Sequence, residues 1–502
     1  MRSLCVYRTF DLDSKAHKIL DPTVTKIVTP LVLFVSCFIL RILFLTSQDI
    51  CIDEPFSIYH AQMSLSDIIR FLKPTNNPPL FEILLHFWIK AFGISAFSVR
   101  FLPVLFGSLA VVYIYKIGAR FFSFKVGIGA ALMYCFSTHA IYYSHDCRTY
   151  TLFLLLTVIS FYYFLKILRE GLNKINIVIW TIANILLIYS HYFGFIVLAL
   201  EFITVLFSAK KLLKPVIIGF IIMMLFYLPQ ILNLMNRLIT SASGGTWLKE
   251  PVGLESLYNI FWIFSNMPVT AVVCLLIIAF TLFQFVAGRK KIGSHHRTPD
   301  RLIYLSFFVP FFCMFLISFK VPVYNARYLF FLMPFYYLSI SVMTFNLFER
   351  DKMKWISLGV IVFLFSLTVN LNPSKKRESK PVTEFIKEIK RPGDLVIICT
   401  HEFLTNFAYY YDPSIFKITG EEEYEALETK LHAENIYPIR RIEEISKISF
   451  NDYERIIYLD AGADFSNPGN NVLSTLQNKF KVNSSKKFEE IFTVYTFEKP
   501  AN

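Results

Sequence analysis

The chain has 502 residues, 55% of them hydrophobic and only 17% charged, with 53 Phe and 27 Tyr. A composition this apolar excludes a soluble multidomain protein of the same length and points to a chain built into a membrane. The formal charge of +13 could suggest nucleic acid, but the basic residues are spread among loops, so no nucleic-acid partner is expected.

A membrane-crossing helix needs about 20 largely apolar residues. About eleven such runs occur in order: Ile27–Leu45, Leu102–Ile117, Val126–Tyr143, Tyr150–Ile167, Ile175–Tyr189, Phe193–Phe207, Pro215–Leu232, Val269–Ala287, Leu302–Phe319, Tyr328–Leu347 and Trp355–Leu371. The predicted fold is therefore a polytopic α-helical membrane protein. Basic clusters mark every second boundary: Arg2 to Lys26 before the first run, then Arg120 and Lys125, Lys166 to Lys174, Lys210 to Lys214, Arg289 to Arg301, and Arg350 to Lys354. By the positive-inside rule those segments are cytoplasmic. Residues 1–26 are then a cytoplasmic N-terminus, 27–371 the membrane domain, and the loop 46–101 and the tail 372–502 exoplasmic.

Within the first exoplasmic loop, "LSDIIRFLK" places Leu65, Ile68, Ile69 and Leu72 at helical spacing, with Ser66 positioned to cap. In "PPLFEILLHFWIKAFG", Phe81, Leu84, Leu85 and Trp88 form one face and Glu82, His86 and Lys90 another. Both predict amphipathic helices lying on the membrane rather than crossing it. From Asn372 the pattern becomes soluble: a helix in "VTEFIKEIKRPGD", a strand at Leu395–Thr400, another at Ile456–Leu459, a helix in "NVLSTLQNKF" and a closing strand in "EEIFTVYTFEK". Alternating helices and short apolar strands predict a small α/β domain, and the absence of a Gly-rich phosphate loop gives it a supporting role.

Polar residues that could carry chemistry collect at the exoplasmic boundaries. Asp53 and Glu54 follow the first run directly. Pro55 after them suits the first turn of a helix, so a capping carboxylate is one reading and a general base beside bound substrate the other. "YSHDCRTY" sets His145, Asp146 and Arg148 in the short turn before Tyr150; it is either a surface ion pair or an anion site in which Arg148 holds a phosphate and Asp146 orients a hydroxyl or a metal. Arg327 opens a late run beside Tyr324 and Tyr328, placed to snorkel or to bind phosphate. His191, in "YSHYFG", could face the same cavity. Lys73, Asn76 and Asn77 precede a Pro-Pro pair. Glu82 and His86, at i, i+4, have the spacing of two ligands for a divalent metal, although a solvated stripe has the same spacing. Glu201 is a carboxylate inside a run, a functional candidate by position. The eight cysteines show no metal-type spacing; Cys51 and Cys147 lie in exoplasmic loops where a disulfide could form, with two free thiols the simpler expectation.

The order and membrane side of the acidic pair, the Pro-Pro loop, "FGISAFSVRFLPVLFG", "YSHDCRTY", "YSHYFG" and "ARYLFFLMP" resemble the GT-C membrane glycosyltransferases, specifically the family of protein O-mannosyltransferases and lipid A aminoarabinose transferases. That resemblance implies transfer of a sugar from a polyprenyl-phosphate donor to a lipid, glycan or protein acceptor, usually with inversion, at the outer face of what would be a bacterial inner membrane. It implies that Asp53 is the base with Glu54 beside it, that Asp146 and Arg148 match an acidic residue and arginine of the second exoplasmic loop, and that Arg327, Tyr328 and Lys73 contact the donor phosphate. Asn76, Asn77, Tyr150, His191 and Tyr324 would line the substrate cavity. Asn77 departs from the His or Lys that many relatives carry before the proline. The competing class, a lipid or glycan transporter, predicts repeated halves and mid-membrane charges, whereas the polar residues here concentrate at one face.

Overall fold

The computed structural model describes residues 24–73, 75, 77–244, 248, 250–251, 253–288, 297–418, 424–488 and 491–498. Each of the apolar runs falls on helix. In chain order the membrane part comprises α1 (Thr29–Ile42), α2 (Glu54–His60), α3 (Leu65–Leu72), α4 (Leu80–Phe92), α5 (Ala96–Phe121), α6 (Phe124–Cys135), α7 (Thr138–Ser144), α8 (Tyr150–Glu170), α9 (Lys174–Ser190), α10 (Gly194–Ser208), α11 (Leu213–Gly244), α12 (Leu254–Phe264), α13 (Pro268–Val286), α14 (Arg297–Ile317), α15 (Ala326–Leu329), α16 (Met333–Leu347) and α17 (Asp351–Thr368).

Among the described residues, five helical segments are long and apolar enough to cross a membrane unaided: Ala96–Phe121, Tyr150–Glu170, Lys210–Ser243, Pro268–Val286 and Ala326–Leu347. A sixth is added if α6 and α7, bent by 61° at their junction, count together. The sequence suggested more because several runs make shorter helices, such as Lys174–Ser190 and Gly194–Ser208, and α1 keeps only 14 helical residues. The hairpin joining α5 to α6 is closed by glycine on glycine: a Cβ on Gly118 would collide with the backbone of Gly127, so the helices approach there as side chains would not allow.

The loop 46–101 departs from the expected surface helices in two respects. Ser64, not Ser66, caps α3, its hydroxyl accepting from the Asp67 N–H at 3.3 Å. On α4 the inward face is Phe81, Glu82, Leu85 and His86, while Phe87 is exposed. Glu82 and His86 of the polar stripe thus face protein rather than water, while Lys90 is exposed.

Beyond α17 the chain forms α18 (Ser379–Ile389), β1 (Leu395–Cys399), α19 (Leu404–Tyr411), α20 (Pro413–Phe416), α21 (Tyr424–Ala433), β2 (Ile436–Pro438), β3 (Arg455–Ala461), α22 (Asn471–Lys479), β4 (Lys481–Phe488) and β5 (Phe492–Glu498). The sheet order is β2-β1-β3-β5-β4. β2, β1 and β3 are parallel, with Ile397 opposite Tyr437 and Tyr458, and the β3-β5-β4 part is antiparallel. Every residue of β1 is buried, as a strand covered on both faces must be. Its two faces belong to different cores: Leu395, Ile397 and Cys399 pack with Val472 and Leu476, whereas Val396 and Ile398 join the apolar core that continues into the membrane helices.

α19 carries that connection. The Ile50 N–H donates to the Tyr410 hydroxyl at 2.6 Å, Asn406 Nδ2 to the Ile52 carbonyl at 2.9 Å and the Tyr409 hydroxyl to the Ile94 carbonyl at 3.1 Å. The Tyr59 ring meets Phe416 edge-on at 5.5 Å. The tail domain is therefore seated on the loop that carries Asp53 and Glu54.

Candidate active site

Pro55 lies in the first turn of α2 as the sequence suggests, but the Asp53 side chain makes no capping bond. Asp53 instead pairs with Arg327, its Oδ2 accepting from Nη1 at 2.8 Å; the side chains are 41% and 21% exposed, respectively. Capping is thus not what the first carboxylate does. Arg327 enters from the opposite end of the chain, on α15, where Asn325 caps the helix by accepting from the Arg327 N–H. Its guanidinium also lies 5.7 Å from the Tyr150 ring, within cation–π range.

Arg148 reaches Asp53 through the latter's backbone. Its Nη1 donates to the Ser57 hydroxyl at 2.6 Å and to the Asp53 carbonyl at 3.3 Å, and lies 4.0 Å from Glu82. Ser57 in turn donates to Glu82 at 2.8 Å. Arg148 Nε is buried without a hydrogen-bond partner among the described residues. Burial would raise the Asp53 carboxyl, but Arg148 and Arg327 outweigh it and hold the group below its ordinary value. For Glu82 burial wins and the carboxyl is raised.

Glu54, fully buried, has a different task. Arg100 grips it with Nε on Oε1 at 2.8 Å and Nη2 on Oε2 at 2.7 Å, Lys375 Nζ reaches Oε2 at 2.7 Å, and the N–H groups of Cys51 and Cys147 complete its shell at 3.2 and 3.0 Å. Burial opposes ionisation, but Arg100 and Lys375 overcome it and bring the carboxyl down to about 2. Oxygens so saturated are poor proton acceptors, so the geometry redirects Glu54 from catalysis to construction: it ties the first loop, α5, the second loop and the tail together. Arg100 completes the joint by donating to the carbonyls of Leu45, Gln48 and Asp49.

Asp146 stands beside this hub, 3.5 Å from Lys375. Burial raises its carboxyl against the pull of Lys375. Asp53 and Asp146 are thus pushed in opposite directions, an arrangement that allows two carboxyls to play different parts.

An aromatic wall continues from the ion pairs. The Tyr150 and His191 ring centroids are 6.4 Å apart, and His191 lies 6.0 Å from Tyr328. His191 Nδ1 accepts from the Phe193 N–H at 3.1 Å, leaving Nε2 buried without a partner among the described residues. Burial lowers this histidine to about 3, so it is neutral. Asn77 Oδ1 is likewise buried and unpartnered.

Other expected residues fall elsewhere. Lys73 is exposed at the end of α3 and pairs with none of these groups among the described contacts. Tyr324 packs against Phe311 and Phe315, and Asn76 lies outside the described residues. His86 spends Nδ1 on the Ala61 carbonyl at 2.9 Å, and among the described residues no group of three or more His, Cys, Asp or Glu could hold a metal; the Glu82/His86 pair is therefore part of the inward wall of α4 rather than an assembled ligand set. Cys51 and Cys147 are free, buried thiols and do not form the disulfide considered from sequence. Glu201 accepts from Ser160, Trp180 and Asn184 at 2.7, 2.9 and 3.2 Å, away from the ion-pair cluster. Two participants escaped the sequence reading. Arg100 was the detectable one, a lone charge opening an apolar run; Lys375 was hidden in the basic string "SKKRESK".

Residues 76–232 match a family model described as dolichyl-phosphate-mannose-protein mannosyltransferase. The segment runs from α4 into α11 and includes Glu82, Arg100, Asp146, Arg148 and His191, but neither Asp53 nor Arg327. The structure of ArnT from Cupriavidus metallidurans in the apo state superposes with a TM-score of 0.59 over 93% of this chain and 98% of that one, at 10% identity. The chain has the GT-C fold. The same ArnT bound to undecaprenyl phosphate also gives 0.59, at 10% identity over 94% and 98% of the two chains. The Archaeoglobus fulgidus oligosaccharyltransferase tethered with an acceptor peptide gives 0.53, at 11% identity over 93% and 74%. No curated protein matches. The resemblance read from the motif order is thus met at the level of fold, and within this GT-C chain the ion-pair cluster gathers at the ends of the membrane helices, where the tail domain meets them.

Proposed function

We propose that the protein is a membrane glycosyltransferase that moves a sugar from a polyprenyl-phosphate donor to an acceptor hydroxyl or phosphate at the exoplasmic face. The observation that carries this reading is Asp53 joined to two arginines at the ends of apolar helices: its carboxylate pairs with Arg327, its backbone carbonyl accepts from Arg148, and both guanidinium charges hold the carboxyl down. A sugar on a lipid carrier presents its reactive carbon at that depth. The solved relative that binds undecaprenyl phosphate supports the donor class.

The chemistry assigns the parts. The acceptor oxygen attacks the anomeric carbon, its proton passes to Asp53, and the bond from that carbon to the phosphate oxygen breaks, releasing polyprenyl phosphate; a single displacement inverts the centre. Arg327 and Arg148 stabilise the charge of the departing phosphate. The same arginines depress the Asp53 carboxyl in the free protein. A bound phosphodiester shares their charge, so donor binding makes Asp53 more basic as it is needed. The alternation of basic loops supports an orientation with this face outside the cytoplasm; a bacterial inner membrane would then put it in the periplasm.

The test is consumption of undecaprenyl-phosphate monosaccharides (mannose, glucose, galactose and aminoarabinose) by the purified chain in nanodiscs, with glycolipid and hydroxyl-bearing peptide acceptors. Release of undecaprenyl phosphate by the wild type and its loss in Asp53→Asn is the expected result. A chain that neither binds undecaprenyl phosphate nor consumes any of these donors would overturn the proposal.

A further inference from the structure

Lys375 follows the last membrane helix by a few residues, in a segment where Ser374 and Lys376 are exposed. Its own side chain is only 3% exposed. The segment is laced to the start of the first exoplasmic loop: Ser47 Oγ and Gln48 Nε2 donate to Asn372 Oδ1 at 2.7 and 3.1 Å, and the Lys375 N–H donates to Gln48 Oε1 at 3.4 Å. The backbone is thereby fixed where the ammonium can turn inward. There Nζ reaches Glu54 Oε2 at 2.7 Å and Asp146 Oδ1 at 3.5 Å.

Lysine is seldom buried unless paired, and this one is paired twice. Both carboxylates belong to different loops of the membrane domain, whereas the lysine comes from the connection to the tail domain. Glu54 already has a full bidentate partner in Arg100, so Lys375 is not required to neutralise it. For Asp146 it is the sole cation within ion-pair distance among the described residues. The groups around Asp146 otherwise include Glu54, which repels it, and Arg327 and Arg148, which are engaged by Asp53.

We infer that Lys375 is a positioning residue of the transfer reaction: it borrows the fixed Glu54–Arg100 pair as an anchor and holds the Asp146 carboxylate in place beside Arg148 and Arg327. The inference rests on the transferase reading above. It makes the segment after the last membrane helix part of the active site and gives the tail domain a purpose, since α18 and α19 hold that segment against the first loop. Lys380, at the start of α18, continues the seam with its N–H on Asp49 Oδ2 at 2.9 Å. Lys375 does not serve as a phosphate ligand, because its ammonium is enclosed between two carboxylates on a side chain only 3% exposed, whereas Arg327 is part-exposed.

The experiment compares the full chain, Lys375→Met and Lys375→Arg in nanodiscs. It measures undecaprenyl phosphate affinity by titration, kcat and KM with whichever undecaprenyl-phosphate monosaccharide the wild type consumes, and the thermal midpoint. Misplacing an oriented group by about 1 Å can cost about a hundredfold. Lys375→Met is therefore expected to lose about that factor in kcat, with KM and undecaprenyl phosphate affinity within about threefold of wild type, and Lys375→Arg to recover most of the loss. Unchanged kcat in Lys375→Met, alongside an inactive Asp53→Asn, would overturn the inference while leaving the transferase reading intact. Joint loss of affinity, turnover and thermal midpoint in both variants would also overturn it, making Lys375 a structural or phosphate-binding residue. A wild type that consumes no donor would remove the transferase reading itself, and the inference with it, before any variant is compared.

Discussion

Asp53→Asn separates the two things the structure asks of this carboxylate. Asparagine keeps the shape but cannot accept the acceptor's proton, so turnover should fall by roughly 10²- to 10⁴-fold, the usual cost of a lost general base. Binding should move the other way. In the free protein Asp53 occupies Arg327 at 2.8 Å, and a donor phosphate must share or displace it. With side chains 41% and 21% exposed, the pair is partly screened by solvent and worth about 1 kcal/mol at most. Releasing Arg327 should therefore tighten undecaprenyl phosphate binding by up to about fivefold. Titration of undecaprenyl phosphate into wild type and variant in nanodiscs, followed by single-turnover transfer, measures both. Undiminished turnover would refute the base assignment. Weaker binding with low turnover would refute the competition argument and show that Asp53 orients Arg327 for the phosphate rather than occupying it.

Arg327→Ala and Arg148→Ala should each weaken undecaprenyl phosphate binding, and Arg148→Lys should recover little because a point charge cannot span Ser57, Asp53 and the ligand as the guanidinium fork does; titration of the same lipid decides. Glu54→Gln should destabilise by about 3–5 kcal/mol at neutral pH, since Arg100 stays buried without its counter-charge and Lys375 keeps only Asp146, as a drop in thermal midpoint would report. Because the Glu54 carboxyl lies at about 2, below its ordinary 4.5, its ionisation stabilises the fold by about 3 kcal/mol above pH 4.5, and this is lost as pH falls from about 4.5 through about 2; acid denaturation of Glu54→Gln should lack that contribution. Topology reporters fused after Lys354 and at Asn502 should lie on opposite sides of the membrane, and same-side signals would displace the exoplasmic assignment of the cleft.

The parts of this architecture that were legible in the sequence are those governed by local rules. Apolar runs declared the membrane helices, and alternating basic loops suggested an orientation. In the tail, β1, β3 and β5 were visible as apolar strands. β2 is only three residues long. β4, "KVNSSKKF", is exposed along all but its last residue; an edge strand guarded by lysines has little apolar pattern to detect. The reading of α4 held for Phe81, Leu85 and Lys90 and missed Glu82 and His86 for a related reason. Periodicity identifies two faces but not which one the rest of the chain will cover, and a cluster of buried ions recruited the face bearing Glu82 and His86.

The candidate site was legible as a set of residue types at one membrane face, not as a set of pairs. Adjacent in sequence, Asp53 and Glu54 look interchangeable, yet one meets Arg327 in a partly open cleft and the other is locked by Arg100 and Lys375. No local signal distinguishes them, because all three partners are remote: 274, 46 and 321 residues away. The division has a physical logic. A carboxylate that must accept a proton needs cations that a ligand can draw away, so its partner is part-exposed; a carboxylate that must hold four segments together needs cations that nothing can reach. Four acids, Asp53, Glu54, Glu82 and Asp146, share the cluster with four cations, Arg100, Arg148, Arg327 and Lys375. Formal neutrality lets the cluster exist before substrate arrives. On the proposed reading an incoming phosphate would tip it negative, and Asp53, in the most exposed of these pairs, would be where that excess is relieved by taking up a proton.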